Sequence, residues 1–329
     1  MKALITGATG FVGRHLTTRL LSEGWECRCL VRNPGKAAGL EAMGAELWPG
    51  DVTDPAALRG IAHGTDAVFH LAAYGGVSAI SDEEEQKMQG VNVEGTQNVL
   101  MACVDEPIRR FVHFSSTAAF GCTGQSCIDE STRCTPLTAY QKSKLDSEAI
   151  VHASWECSSV PAVIIRPCMI YGPGGDQGQF LKLCRMFKRG FFPRLRGLVW
   201  LPMVHVEDVV AGALAAFEHG ASGNVYVIAG ARPVNVHDLR RWVIDTLGVS
   251  PPYIYTPAPA LKMAAWAAET LSKILRRQPP VTLANVRMTL LSRQFNTEKA
   301  RREIAFAASM DPEQGVRETV RHFVDEHLL

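Results

Sequence analysis

Met1-Lys2-Ala3-Leu4-Ile5-Thr6-Gly7-Ala8-Thr9-Gly10-Phe11-Val12-Gly13 is the stretch on which the fold turns. Ala3–Thr6 is a short, mainly apolar run that stops at Gly7. Beyond the glycines, Val12, Leu16, Leu20 and Leu21 recur at helical spacing through Phe11–Leu21. A bare glycine triplet is a weak signal, but this one lies between a strand and a helix. There Gly7 permits a tight turn, Gly10 lets the backbone approach a pyrophosphate and Gly13 lets helix and strand pack closely. The helix N-terminus offers unpaired N–H groups to phosphate, with Thr9, Phe11 and Val12 in the same turn.

The pattern repeats along the chain. Cys27–Val31, Ala45–Trp48, Ala67–Leu71, Arg110–Phe114, Ala162–Arg166 and Val225–Ala229 read as strands. Helical stretches lie between them, notably Val91–Val104 and Ala139–Ala153. Strands alternating with helices of this length predict an α/β fold with a doubly wound parallel sheet. The acidic run Asp82–Glu85 reads as a solvated helix or loop. After Ile170 the texture changes: Tyr171–Gly175 is a loop, and breaks follow at Pro251-Pro252, Pro257, Pro259 and Pro279-Pro280. This half reads as a smaller C-terminal substrate domain over the carboxyl ends of the strands, where open α/β sheets bind ligands. Residues 1–170 with 204–230 are expected to form the cofactor domain, and 171–203 with 231–329 the cap.

Composition narrows the partners. The 329 residues carry 34 Lys+Arg against 33 Asp+Glu and are 47% hydrophobic, which excludes a disordered or fibrous chain. Near-neutrality argues against nucleic acid and leaves a small molecule as the expected partner. The nine cysteines form no Cys-x-x-Cys pair and no charged leader precedes the first strand, so a reduced, cytoplasmic protein is expected. Cys122, Cys127 and Cys134 lack paired ligands at zinc spacing, so no metal is expected.

The end of the second strand reads the cofactor's ribose. A carboxylate there would hold the hydroxyls of NAD and repel a 2′-phosphate; this chain has Arg32 and, after Asn33-Pro34-Gly35, Lys36. Both cations suit a 2′-phosphate, which favours NADP over NAD, although surface placement is the bland reading of each. Asp51 and Val52, after the third strand, are placed to meet the adenine. Tyr140 and Lys144 lie four residues apart on a predicted helix and so face the same way. A phenol with an ordinary pKa of about 10 needs a cation and a buried setting to work near neutrality. Upstream, a strand ends in Ser115-Ser116-Thr117, whose hydroxyls could hold a substrate oxygen.

TGATGFVG at 6–13, GDVTD at 50–54, HLAA at 70–73, NVEGTQNV at 92–99, SSTAAFG at 115–121, YQKSK at 140–144, RPCMIYGPGG at 166–175 and VHVEDV at 204–209 together resemble the extended short-chain dehydrogenase/reductases. That family holds NAD(P)-dependent epimerases and dehydratases, 3β-hydroxysteroid dehydrogenases and dihydroflavonol reductases. The resemblance runs from residue 1 to about 230 and implies a Rossmann domain. It makes Tyr140 the general acid/base and Lys144 the residue that lowers its pKa and binds the nicotinamide ribose. It makes Ser116 the hydroxyl that polarises the substrate oxygen, with Ser115 as a cofactor-side flank. Leu71, Ala72 and Ala73 should run beside the cofactor, Pro167 should pack near the nicotinamide, and Asn92 should brace the site. The resemblance also implies a homodimer built on Val91–Val104 and Ala139–Ala153.

Departures from the family select a branch. Dehydratases place an acid after the catalytic hydroxyl, where this chain has Thr117-Ala118-Ala119. Many sugar-nucleotide epimerases carry phosphate-contacting Asn and Arg where this chain has Met169 and Leu201. An apolar pocket wall follows, unless Lys182, Arg185, Arg194 or Arg196 holds phosphate instead. Tyr74 and Phe120 are expected to face the substrate because they follow cofactor-side strands. The expected function is hydride transfer between NADP or NAD and a secondary alcohol or ketone of a fairly apolar substrate. The alternative is an NAD-dependent sugar-nucleotide epimerase. A cofactor-binding regulator without turnover is disfavoured by the intact Ser116, Tyr140 and Lys144. Leu261, Met263, Ala264, Ala265, Ala268, Leu271, Ile274 and Leu275 are expected largely on one side of a helix over 260–275. It reads as a core or lid helix, with peripheral membrane contact through 260–277 or a dimer-related role as the alternatives. His205 is expected to be a structural hydrogen-bonder.

Overall fold

A computed structural model describes the chain apart from residues 76–80, 159, 193, 196, 198, 276–282, 284–285 and 287–291. Seven strands form one parallel sheet: β1 Lys2–Thr6, β2 Glu26–Val31, β3 Glu46–Pro49, β4 Ala67–His70, β5 Arg110–Phe114, β7 Ala162–Pro167 and β11 Val225–Ile228. Their order is β3-β2-β1-β4-β5-β7-β11. The chain winds outward from β1 in both directions, so a crevice opens at the carboxyl ends of β1 and β4. Every residue of β4 and of β7 is buried, because helices cover both faces of the sheet.

α1 Phe11–Ser22 follows β1 directly, α2 Ala38–Ala42 lies between β2 and β3, and α5 Ala139–Ser158 crosses from β5 towards β7. α3 Asp82–Met88, capped by Ser81, is the expected solvated acidic run. The stretch expected as a helix over Val91–Val104 is the end of a longer helical run. It continues α3 through a π-helical segment, Gln89–Glu94, into α4 Gly95–Met101. The wider π turn changes which side chains face inward, a device that recurs at functional sites. α7 Val206–His219 begins at His205, whose ring accepts from the Glu207 amide at 3.3 Å.

The C-terminal half builds a second apolar cluster. It joins Tyr171, Phe180, Phe187, Leu239, Trp242, Val316, Val320 and Phe323 across α6 Gln179–Lys188, α8 Val236–Leu247 and a last helix, Pro312–Asp325. Among the described residues, three two-stranded sheets lie outside the main sheet: β8 Met169–Tyr171 with β10 Met203–His205, β9 Trp200–Leu201 with β12 Val234–Asn235, and β6 Cys127–Ile128 with β13 Gln294–Phe295. One segment expected in the cap lies elsewhere. Ala300, Ile304 and Phe306 are buried in the core of the main sheet, because the helix Glu298–Glu303 packs on β11.

Candidate active site

The glycine turn behaves as its spacing requires. Gly7 has a φ of +73°, and a Cβ there would lie 2.8 Å from the Ala72 amide nitrogen. A Cβ on Gly13 would lie 2.1 Å from the Gly7 carbonyl oxygen, so only glycine lets α1 approach β1 this closely. Gly10 caps α1 without a side-chain hydrogen bond, and the first turn carries no acidic residue. The open N–H groups are therefore free of a competing carboxylate. Leu71 and Ala72 lie against this turn, and Ala73 is exposed beside it. These features fit the pyrophosphate of a dinucleotide.

Around the adenosine end, Arg32 and Lys36 are exposed, and the Arg32 Nε lies 3.9 Å from an Asp51 carboxylate oxygen. Asp51 also accepts from the amide and hydroxyl of Thr53. Val52 is buried and packs on Gly95, its carbonyl accepting from the Asn98 amide group at 2.9 Å.

Ser116 and Tyr140 come together. Ser116 caps the turn Thr117–Phe120, its hydroxyl accepting from the Ala118 amide at 3.1 Å, and its side chain lies beside the Tyr140 phenol. Burial raises the phenol's pKa above its ordinary value, and Ser116 works against that rise. The Lys144 Nζ donates to the Phe114 carbonyl at 2.9 Å. Burial brings the Lys144 ammonium down to about 8, against the upward pull of Glu148. Asn92 braces the site as expected: its Oδ1 accepts from the Tyr74 amide at 2.6 Å, and its Nδ2 donates to the Tyr74 carbonyl and the Ser143 hydroxyl. Ser143 in turn donates to the Tyr140 carbonyl.

Below this layer lie two stacked imidazoles, His70 and His113, with ring centroids 5.5 Å apart. The His70 tautomer follows from its neighbours. The Thr96 hydroxyl donates to the Asn92 carbonyl and so accepts from Nε2–H; Thr6 receives the Ala72 amide and donates to Nδ1. Burial, with the nearby Lys144 charge, pushes the His70 pKa down to about 3.

Three expectations need correction. Phe120 does not face substrate: it is fully buried under the Arg166 guanidinium and against Phe295. The Ser115 hydroxyl is not open to a cofactor, because it donates to the buried Glu148 carboxylate. Arg185, one of the alternative phosphate cations, instead donates to the Leu328 carbonyl. Arg196 lies outside the described residues. Met169 and Leu201 are half-buried against the second apolar cluster, and Pro167 closes β7 with its carbonyl accepting from Thr117. No group of metal-ligating side chains occurs among the described residues. Sequence reasoning missed Glu148, Arg166 and His113; Glu148's place one turn beyond Lys144 was the available signal.

Residues 3–229 match the NAD dependent epimerase/dehydratase family. The chain belongs to that family. It is thus an enzyme of the extended short-chain dehydrogenase/reductase type, using a nicotinamide dinucleotide. It is 30% identical to a 4-hydroxy-2-methyl-3-oxo-4-farnesyl-3,4-dihydroquinoline-1-oxide ketoreductase of Stigmatella aurantiaca, over 96% of this chain and 95% of the relative. It is 29% identical to a 3 beta-hydroxysteroid dehydrogenase/Delta 5-->4-isomerase of Mycobacterium tuberculosis (strain ATCC 25618 / H37Rv), over 98% and 90%. Among solved structures, a UDP-glucuronic acid 4-epimerase from Bacillus cereus, in complex with UDP-glucuronic acid and NAD, superposes with a TM-score of 0.80. At 21% identity over 99% of this chain and 100% of that one, it shows the epimerase/dehydratase fold alone.

Proposed function

We propose that this enzyme is a reductase or dehydrogenase acting on a secondary alcohol or ketone in a fairly apolar small molecule. The observation that carries this reading is the Ser116 side chain beside the buried Tyr140 phenol, with apolar Met169 and Leu201 towards the second lobe. A bound nicotinamide supplies or accepts the hydride. Tyr140 gives its phenolic proton to the reacting oxygen in reduction and takes it back in oxidation, while Ser116 donates a hydrogen bond to that oxygen. Lys144 holds the nicotinamide ribose. The ketoreductase and hydroxysteroid dehydrogenase relatives support an apolar substrate. Arg32 and Lys36 favour NADP, and nine free cysteines suit a cytoplasmic setting. The paired helices α4 and α5 form the interface of a homodimer.

The test is a substrate panel with both cofactors. Net NADPH consumption with hydrophobic ketones is expected, and turnover of nucleotide sugars without net absorbance change would support the epimerase reading instead. Tyr140→Phe is expected to lower kcat by about 10²–10⁴-fold while cofactor affinity stays unchanged. Normal turnover by that variant would sink the assignment.

A further inference from the structure

Behind Ser116 and Lys144 lies a buried ion pair that joins three segments of the site. The Glu148 Oε1 accepts from the Arg166 Nε at 2.9 Å, and its Oε2 accepts from Nη2 at 2.5 Å. Oε1 also receives the Ser115 hydroxyl. Glu148 and Arg166 are each almost completely buried. The carboxylate thus ties the exit of β5, where Ser116 begins, to the end of β7, where Pro167 follows Arg166. It does so from α5, the helix that carries Tyr140 and Lys144. The guanidinium is held in turn over the Phe120 ring at 4.4 Å.

The charge balance gives Glu148 a second task. Facing Lys144 are Tyr140 and Glu148 from its own helix, His70 from β4, His113 and the Phe114 carbonyl from β5, and Arg166 beyond Glu148 on β7. Both histidines are held neutral by burial. Two buried cations, Lys144 and Arg166, therefore share one carboxylate.

We propose, resting on the functional reading above, that Glu148 is a positioning residue. Through Ser115 and Arg166 it fixes Ser116 against Tyr140, and its carboxylate supplies the negative charge against which the Lys144 ammonium is buried. A brace alone would be replaceable by any pair that fills the space; an electrostatic partner of Lys144 would not.

Removing one member of a buried ion pair strands the other, so Glu148→Gln alone risks misfolding. The double variant Glu148→Gln/Arg166→Gln removes both charges and leaves neither stranded. The primary readout is the NADH dissociation constant against pH, which needs no known substrate. Wild-type binding is expected to weaken as pH rises through about 8, when Lys144 loses its proton. In the double variant this break is expected to move down by about one pH unit, whereas Glu148→Asp, which keeps the charge, leaves it in place. Ser115→Ala leaves the break in place and lowers kcat about tenfold with KM unchanged, because only the alignment of Ser116 is disturbed. A double variant whose break coincides with the wild type, or Ser115→Ala with unchanged kcat, overturns the proposal. Wild-type protein that shows the break but reduces no ketone counts against the functional reading alone, since the binding comparison stands without turnover.

Discussion

Arg32 carries the choice of cofactor. Its side chain is 77% exposed and 3.9 Å from Asp51, a geometry that leaves the guanidinium open to solvent. An exposed pair of this kind is weak, so a 2′-phosphate can compete for the cation. Arg32→Ala is expected to weaken NADPH binding about tenfold, the effect of one charge-assisted hydrogen bond, and to leave NADH binding nearly unchanged. Fluorescence titration with both cofactors measures it, and an equal loss for the two would show that Arg32 reads no phosphate. Tyr140 and Ser116 show the converse lesson about single residues. Both were legible from motifs, but their proximity and the Lys144 bond to the Phe114 carbonyl depend on where β5 and α5 meet.

Among elements, the β1–α1 unit is the most completely encoded. Gly→Ala in a helix ordinarily stabilises by about 1 kcal/mol, yet at Gly13 the added Cβ would sit 2.1 Å from a backbone oxygen. Gly13→Ala is therefore expected to destabilise the protein by about 1–3 kcal/mol and to abolish cofactor binding, as denaturant unfolding and NADH titration would show. A stabilised variant would contradict the packing. The helix Ala258–Leu275 was less legible. Its inward stripe holds the buried Ala265 and Ser272 with the half-buried Leu261 and Ala268, whereas Met263 and Leu271, expected on the same side as Leu261, are 66% and 56% exposed, and Trp266 is 62% exposed. The difference arises because almost every turn of this helix carries apolar residues, so periodicity could not say which side the second lobe covers. The side chains of residues 273–275, and residues 276–277, lie outside the description. No described helix is long and apolar enough to cross a membrane. If the exposed Met263, Trp266 and Leu271 meet a membrane surface peripherally, Trp266→Glu reduces cosedimentation with lipid vesicles at least severalfold. Unchanged cosedimentation, or none in the wild type, would remove the membrane from the account.

At the scale of the whole molecule, His70 and His113 link the fold to pH. Both are buried and neutral, and His70 is held at about 3 against an ordinary 6.5. Below pH 6.5 the unfolded chain binds protons that the folded chain refuses. Stability is therefore complete above that pH and falls as the pH drops towards 3, by about 1.4 kcal/mol per pH unit for each histidine. Denaturant midpoints between pH 4.5 and 7 would measure this, and His113→Phe is expected to halve the slope. A flat profile would mean that the rings are not buried as neutral pairs. The sequence by itself determined the strand order of events along the chain, the glycine turn and the spacing of Tyr140 with Lys144. These rest on local physics: a period of two or 3.6, a residue without a Cβ, side chains one turn apart. The tertiary structure alone decided that Glu148 and Arg166 pair beneath Ser115 and that Phe120 is buried. It also decided that Ala300, Ile304 and Phe306 join the main sheet. These outcomes depend on which surfaces meet across long stretches of chain. A buried charge or aromatic ring takes its role from partners that local pattern does not name.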